Sequence, residues 1–118
     1  MTTQELVADA KSRIRELEPA AAAQSIKAGA LVLDVREPTE YDGGKLPDAM
    51  NIPRGLLEFK IASHPGLADR NAAIVLYCKS GDRSALATLS LQQLGYTNAH
   101  SIRGGFEAWA ANGQPVTK

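Results

Sequence analysis

The chain has 118 residues, 13 Lys and Arg against 13 Asp and Glu, and one cysteine. That length suits one domain with an ordinary core, and charge that is balanced and interspersed argues against a dedicated nucleic-acid or polyanion binder. A single cysteine excludes an intrachain disulfide framework, and the isolated His64 and His100 offer no zinc cluster.

The N-terminus, Met-Thr-Thr-Gln-Glu, lacks the basic start and apolar core of a signal peptide, and no apolar run is long enough to span a bilayer. The expected compartment is therefore the cytoplasm, where a thiol stays reduced. Residues 3–17 predict a helix with Leu6, Val7, Ala10, Ile14 and Leu17 on one face. The spacing is heptad-like but too short to separate packing in cis from a weak dimer seam, so a monomer or weak dimer is expected. Pro19 opens a second helix, Ala20 to Ala28, stopped by Gly29.

Ala30 to Val35 reads as a strand, Glu37 to Tyr41 as a helical turn and Gly43-Gly44 as a loop. A short strand from Ala49 to Ile52 is closed by Pro53, which cannot continue a central ladder. Residues 54–63 predict a helix, with Leu56, Leu57 and Phe59 facing either the core or a pocket wall. Strand 73–78, helix 84–94, strand 98–102 and a last helix from Phe106 to Asn112 follow, the last anchored by Phe106 and Trp109. Strands separated by helices imply parallel crossovers. The expectation is an α/β fold, a mostly parallel central sheet of about five strands with helices on both faces.

The chemistry concentrates at Cys78, where the apolar run Ile74-Val75-Leu76-Tyr77 meets a polar loop and then a helix. Ligands of such sheets bind beyond the carboxyl ends of the strands, and Cys78 lies at one. Lys79, Ser80, Gly81 and Asp82 turn the chain at a helix N-terminus, an arrangement that aims N–H groups at an anion. Lys79 and Arg83 flank the sulfur, and with the helix start they favour the thiolate. The alternative is an inert core cysteine. Arg36 is read either at the rim of this pocket or in a structural ion pair with Glu40. Asp82 or Ser84 is expected to cap the following helix. Arg103 either faces the pocket or lies on the surface.

Three motifs in this order resemble the rhodanese family over residues 19 to 113. They are Asp34-Val35-Arg36 with Glu40-Tyr41, Gly44, Pro47, Ala49 and Asn51-Ile52-Pro53; Tyr77 through Ser84; and Gly104-Gly105-Phe106-Glu107-Ala108-Trp109. Lys45, Leu46 and Asp48 depart from the His, Ile and Gly common in the first motif. The resemblance implies a rhodanese-like domain at 19–113, with residues 1–18 a helical extension and 114–118 a short tail. It further implies a thiosulfate sulfurtransferase in which Cys78 is the catalytic nucleophile and persulfide carrier. Lys79, Ser80, Gly81, Asp82 and Arg83 would form the cradle that contacts the substrate, joined by Arg36 on the reading that puts it at the pocket rim. The partners implied are a small anionic sulfur donor and a cyanide or thiol acceptor, with a protein thiol as a further possibility. A protein-binding module or a persulfide relay is the alternative, and retention of the cysteine argues against the module. Related phosphatases of this fold have a loop one residue longer than the six from Cys78 to Arg83. No cofactor is implied, since neither a Walker loop nor a dinucleotide glycine fingerprint is present.

Overall fold

The computed structural model describes all 118 residues. In chain order the elements are α1 (Thr3–Arg13), β1 (Glu16–Leu17), α2 (Pro19–Lys27), β2 (Leu31–Asp34), α3 (Pro38–Asp42), β3 (Met50–Asn51), α4 (Leu57–Lys60), β4 (Ile74–Tyr77), α5 (Asp82–Gln93), β5 (Ala99–Ile102) and α6 (Gly105–Ala111). Five strands form one sheet in the order β1-β5-β4-β2-β3, every pairing parallel. The expected fold class is the one observed.

Strand β4 occupies the centre, and all four of its residues are buried. Period-two alternation sends its side chains into two separate cores. Ile74 and Leu76 join Leu33, Val35, Leu57, Ile61, Ala87 and Leu91 beneath α4 and α5. Val75 and Tyr77 join Ala22, Val32, Leu46, Ile102 and Trp109 beneath α2 and α6. Burying each large apolar side chain stabilises the fold by about 1.5–3 kcal/mol. Cys78 continues the first face, so its sulfur lies on the α5 side of the sheet.

Several boundaries differ from the sequence reading. The first helix ends at Arg13 rather than at residue 17, and Glu16 and Leu17 form an edge strand with Ser101 and Ile102 as register partners. Leu17 satisfied helical spacing by coincidence; a two-residue strand leaves no periodic signal of its own. Helix α1 starts on a capping box, in which Thr2 Oγ1 accepts from the Glu5 N–H while Glu5 Oε1 accepts from the Thr2 N–H. It packs in cis on α5, burying Val7 and Ala10 and leaving Leu6 exposed. The helix read at 54–63 is instead a short α-helix between two 3₁₀ turns, Arg54–Leu56 and Ile61–Ser63. Of its three apolar candidates only Leu57 is buried; Leu56 and Phe59 face solvent.

At the end of β2 the backbone is pinned by a buried ion pair. Both Asp34 carboxylate oxygens accept from Arg36, through Nε at 3.1 and 3.0 Å and Nη2 at 2.7 Å, and Oδ1 also takes the Arg36 N–H at 2.8 Å. Arg36 Nη2 donates onward to the Gly44 carbonyl, and the guanidinium packs over the Tyr77 and Phe106 rings at 5.3 and 4.6 Å. The partner of Arg36 is thus Asp34 and not Glu40: two residues beyond Asp34, the side chain folds back over the strand end. Removing the carboxylate leaves a buried, unpaired guanidinium. Asp34→Ala is therefore expected to lower unfolding free energy by about 3–5 kcal/mol, read in urea as a lower midpoint with unchanged slope.

Candidate active site

Strand order places the end of β4 between the ends of β5 and β2, so Cys78 emerges between two supporting turns. From Lys79 to Gly81 the chain reverses; Gly81 has φ +99, a left-handed conformation that glycine adopts without a Cβ penalty, and caps α5. The helix consequently begins at Asp82, two residues before the expected start. Asp82 does not cap it. Its carboxylate is exposed and lies 3.3 Å from Lys11 Nζ of α1. Ser84 is not a cap either, since its hydroxyl meets Ser101 Oγ at 2.8 Å in the interior.

The sulfur is buried, and two backbone donors converge on it: the Gly81 N–H at 3.1 Å and the Ser84 N–H at 3.3 Å. Around it the N–H groups of Lys79, Ser80, Asp82 and Arg83 have no hydrogen-bond partner within the chain. Their orientation comes from α6. The Cys78 carbonyl accepts from the Phe106 N–H at 2.7 Å, and the Lys79 carbonyl from the Glu107 N–H at 3.1 Å. In a trans peptide the C=O and N–H point in opposite directions. Tying these two carbonyls to α6 therefore turns the Lys79 and Ser80 N–H groups to the other side of the loop.

The approach that permits this needs glycine. A Cβ on Gly105, at φ +61, would collide with the Cys78 carbonyl and come within 2.7 Å of the Lys79 carbonyl and 2.8 Å of the Gly81 nitrogen. The sequence shows Gly104-Gly105 only as the start of the third motif; their contact with the cysteine loop becomes visible only in three dimensions.

The flanking charges are distributed unevenly. Lys79 is exposed and makes no ion pair. Arg83 donates from both Nη atoms to Glu40 of α3, at 2.8 and 3.1 Å. That contact, with a smaller contribution from the Glu37 N–H, holds the Glu40 carboxyl down to about 2. Arg36, Thr39, Glu40, Gly43, Gly44, Lys79, Phe106 and Glu107 line a cavity of about 460 Å³ beside the loop. Arg36 is thus at the cavity wall, with its guanidinium committed to Asp34 and Gly44. Arg103 lies outside the site, exposed and paired with Glu16 and Glu18. Glu40 is a site residue that the sequence marks only by its place in the first motif and its spacing from Arg36. No helix is long and apolar enough to cross a membrane.

Two glycines with positive φ separate strain from collision. Gly105→Ala is expected to cost at least about 1–3 kcal/mol and to disorder the cysteine loop, taking the oriented N–H donors off the sulfur and slowing thiolate labelling of Cys78. Gly113→Ala, at φ +79 with open space around the added Cβ, should cost stability alone. Thermal melts and Cys78 labelling of both variants check the contrast.

Comparison with known proteins identifies the family. Residues 18–112 match the family model of the rhodanese-like domain. A sulfurtransferase of Allochromatium vinosum is 40% identical over 86 residues, covering 73% of this chain and 77% of its own. The chloroplastic thiosulfate sulfurtransferase 16 of Arabidopsis thaliana is 40% identical over 101 residues, covering 75% and 81%. In structure, a Rhodopseudomonas palustris protein of unknown function, described as a possible tyrosine phosphatase, superposes with a TM-score of 0.91 at 32% identity, covering 99% and 95%. With a family match across most of its length and relatives named sulfurtransferases at this level of identity, the chain belongs to the rhodanese-like family.

Proposed function

We propose that Cys78 carries sulfur as a persulfide, taken from an anionic donor such as thiosulfate and passed to a thiophilic acceptor, cyanide or a thiol. The observation that carries this reading is the donor set around Cys78 Sγ: two N–H groups on the sulfur and four more without partners on the same loop. A persulfide is anionic, and hydrogen bonds to charged groups contribute about 1.5–3 kcal/mol each. Pre-oriented backbone donors stabilise such a charge without reorganising when it forms. The dipole of α5 adds about 0.3–1 kcal/mol at its N-terminus.

In the first half-reaction the Cys78 thiolate attacks the outer sulfur of thiosulfate. The donor S–S bond breaks, its electron pair leaves with sulfite, and a new S–S bond remains on Cys78. In the second, the acceptor attacks the outer sulfur and the thiolate is regenerated. One carrier atom serving two substrates in turn gives ping-pong kinetics. The loop from Cys78 to Arg83 has six residues, and this shorter ring supports sulfur over phosphate as cargo. The cytoplasm is the proposed site of action, where the thiol stays reduced between turnovers.

Intact mass after incubation with thiosulfate tests the reading. The expected result is a gain of one sulfur atom that cyanide removes, absent in Cys78→Ser. No gain from thiosulfate or any other sulfane donor would leave a protein-binding role as the better account.

A further inference from the structure

Three cations stand around the sulfur loop, and two are neutralised. Arg36 is buried against Asp34, and Arg83 is held by Glu40; Lys79 has no ion-pair partner. Arg83 sits in the first turn of α5, next to Ser84, whose N–H touches the sulfur. Its guanidinium leaves that turn to reach α3, where Glu40 lines the neighbouring cavity together with Lys79. Glu40 is anchored from its own side, since Oε1 also accepts the Glu37 N–H at 3.0 Å in a capping box. The carboxylate is the fixed half of the pair. Arg83, on a longer side chain and partly exposed, is the half that can turn.

We propose that Glu40 is a specificity-determining residue for the sulfur donor: by holding Arg83 in a two-bond pair, it masks one positive charge at the loop and sets how strongly donor charge is read. The inference rests on the reading that Cys78 takes sulfur from an anionic donor. Lys79 then supplies the unmasked positive charge, and Arg83 contributes only as far as the donor competes with Glu40. Coulomb energy scales with the donor's charge, so unmasking Arg83 favours a dianion over a monoanion. A residue that merely pinned the loop would affect both alike.

The test compares thiosulfate, a dianion, with benzenethiosulfonate, a monoanion, in wild type and Glu40→Gln, at low fixed ionic strength and with cyanide as acceptor. Both donors give the same Cys78 persulfide by the same S–S cleavage; the electron pair leaves with sulfite or with benzenesulfinate. Glutamine keeps the capping oxygen and removes the charge. The expected result is a rise in kcat/KM of about threefold for benzenethiosulfonate and about tenfold for thiosulfate, since doubling the donor charge squares the factor. Arg83→Lys keeps the cation but lacks the two-bond fork. It should move the donor ratio the same way by a smaller factor, and it stands in should Glu40→Gln not fold. Equal changes for the two donors, or none, would overturn the inference while leaving sulfur transfer intact. A wild-type protein that loads sulfur from neither donor would overturn the sulfur-transfer reading and this inference with it.

Discussion

Two hydrogen bonds from the N-terminus of α6 to the carbonyls of Cys78 and Lys79 set the polarity of the site. A loop turning at a helix start can present carbonyl oxygens or N–H groups to its centre, and only the second arrangement accommodates an anion. Here the carbonyls are bound on one side, so the N–H groups face the other. The sheet order makes the contact available by placing the end of β5 beside the end of β4. Gly105 makes it sterically possible, since any side chain there meets the loop backbone. An ordinary α/β crossover thereby gains a loop whose N–H groups are free of partners within the chain.

Electrostatics refine what the backbone builds. The site is rich in charge, yet most of it is paired within the chain: Asp34 with Arg36, Glu40 with Arg83, Asp82 with Lys11. The buried pair secures the end of β2 and, through Gly44, the loop that borders the cavity. Tyr77 lies beneath it, its phenol pushed up by burial and by the Asp34 carboxylate, and accepting from the Leu46 N–H at 3.2 Å. What remains unpaired at the site is a set of backbone donors, the Lys79 ammonium and, on the cavity wall beside it, the Glu107 carboxylate. Recognition by fixed dipoles suits the proposed persulfide carrier, whose charge would persist through both half-reactions.

The core of the fold was legible because β4 and its neighbours are apolar runs bounded by helices, and both signals are local. The cysteine loop was legible for the same reason: strand, turn and helix are consecutive. Features created by non-local pairing were hidden. Strand β1 is two residues long and exists only because β5 lies beside it, so its Leu17 read as helix. The start of α5 slipped by two residues because the left-handed Gly81, rather than a polar side chain, caps it. The Glu40–Arg83 and Asp34–Arg36 pairs were exchanged in the reading for an Arg36–Glu40 pair at helical spacing. Charge alone does not reveal that the chain folds back over the end of β2. Phe59 and Leu56 were given to the core or a pocket wall and lie in solvent, because a segment broken into 3₁₀ turns has no continuous buried face.

The central claim is that loop amides, oriented by α6, hold the charge on sulfur. Amide proton shifts of the ¹⁵N-labelled protein, before and after loading Cys78 with one sulfur, test it most directly. The account predicts downfield movement of the Gly81 and Ser84 amides and of at least one of the Lys79, Ser80, Asp82 and Arg83 amides. The Phe106 and Glu107 amides, bound to the fixed carbonyls, should stay in place. Stoichiometric loading that leaves every loop amide unmoved would contradict it.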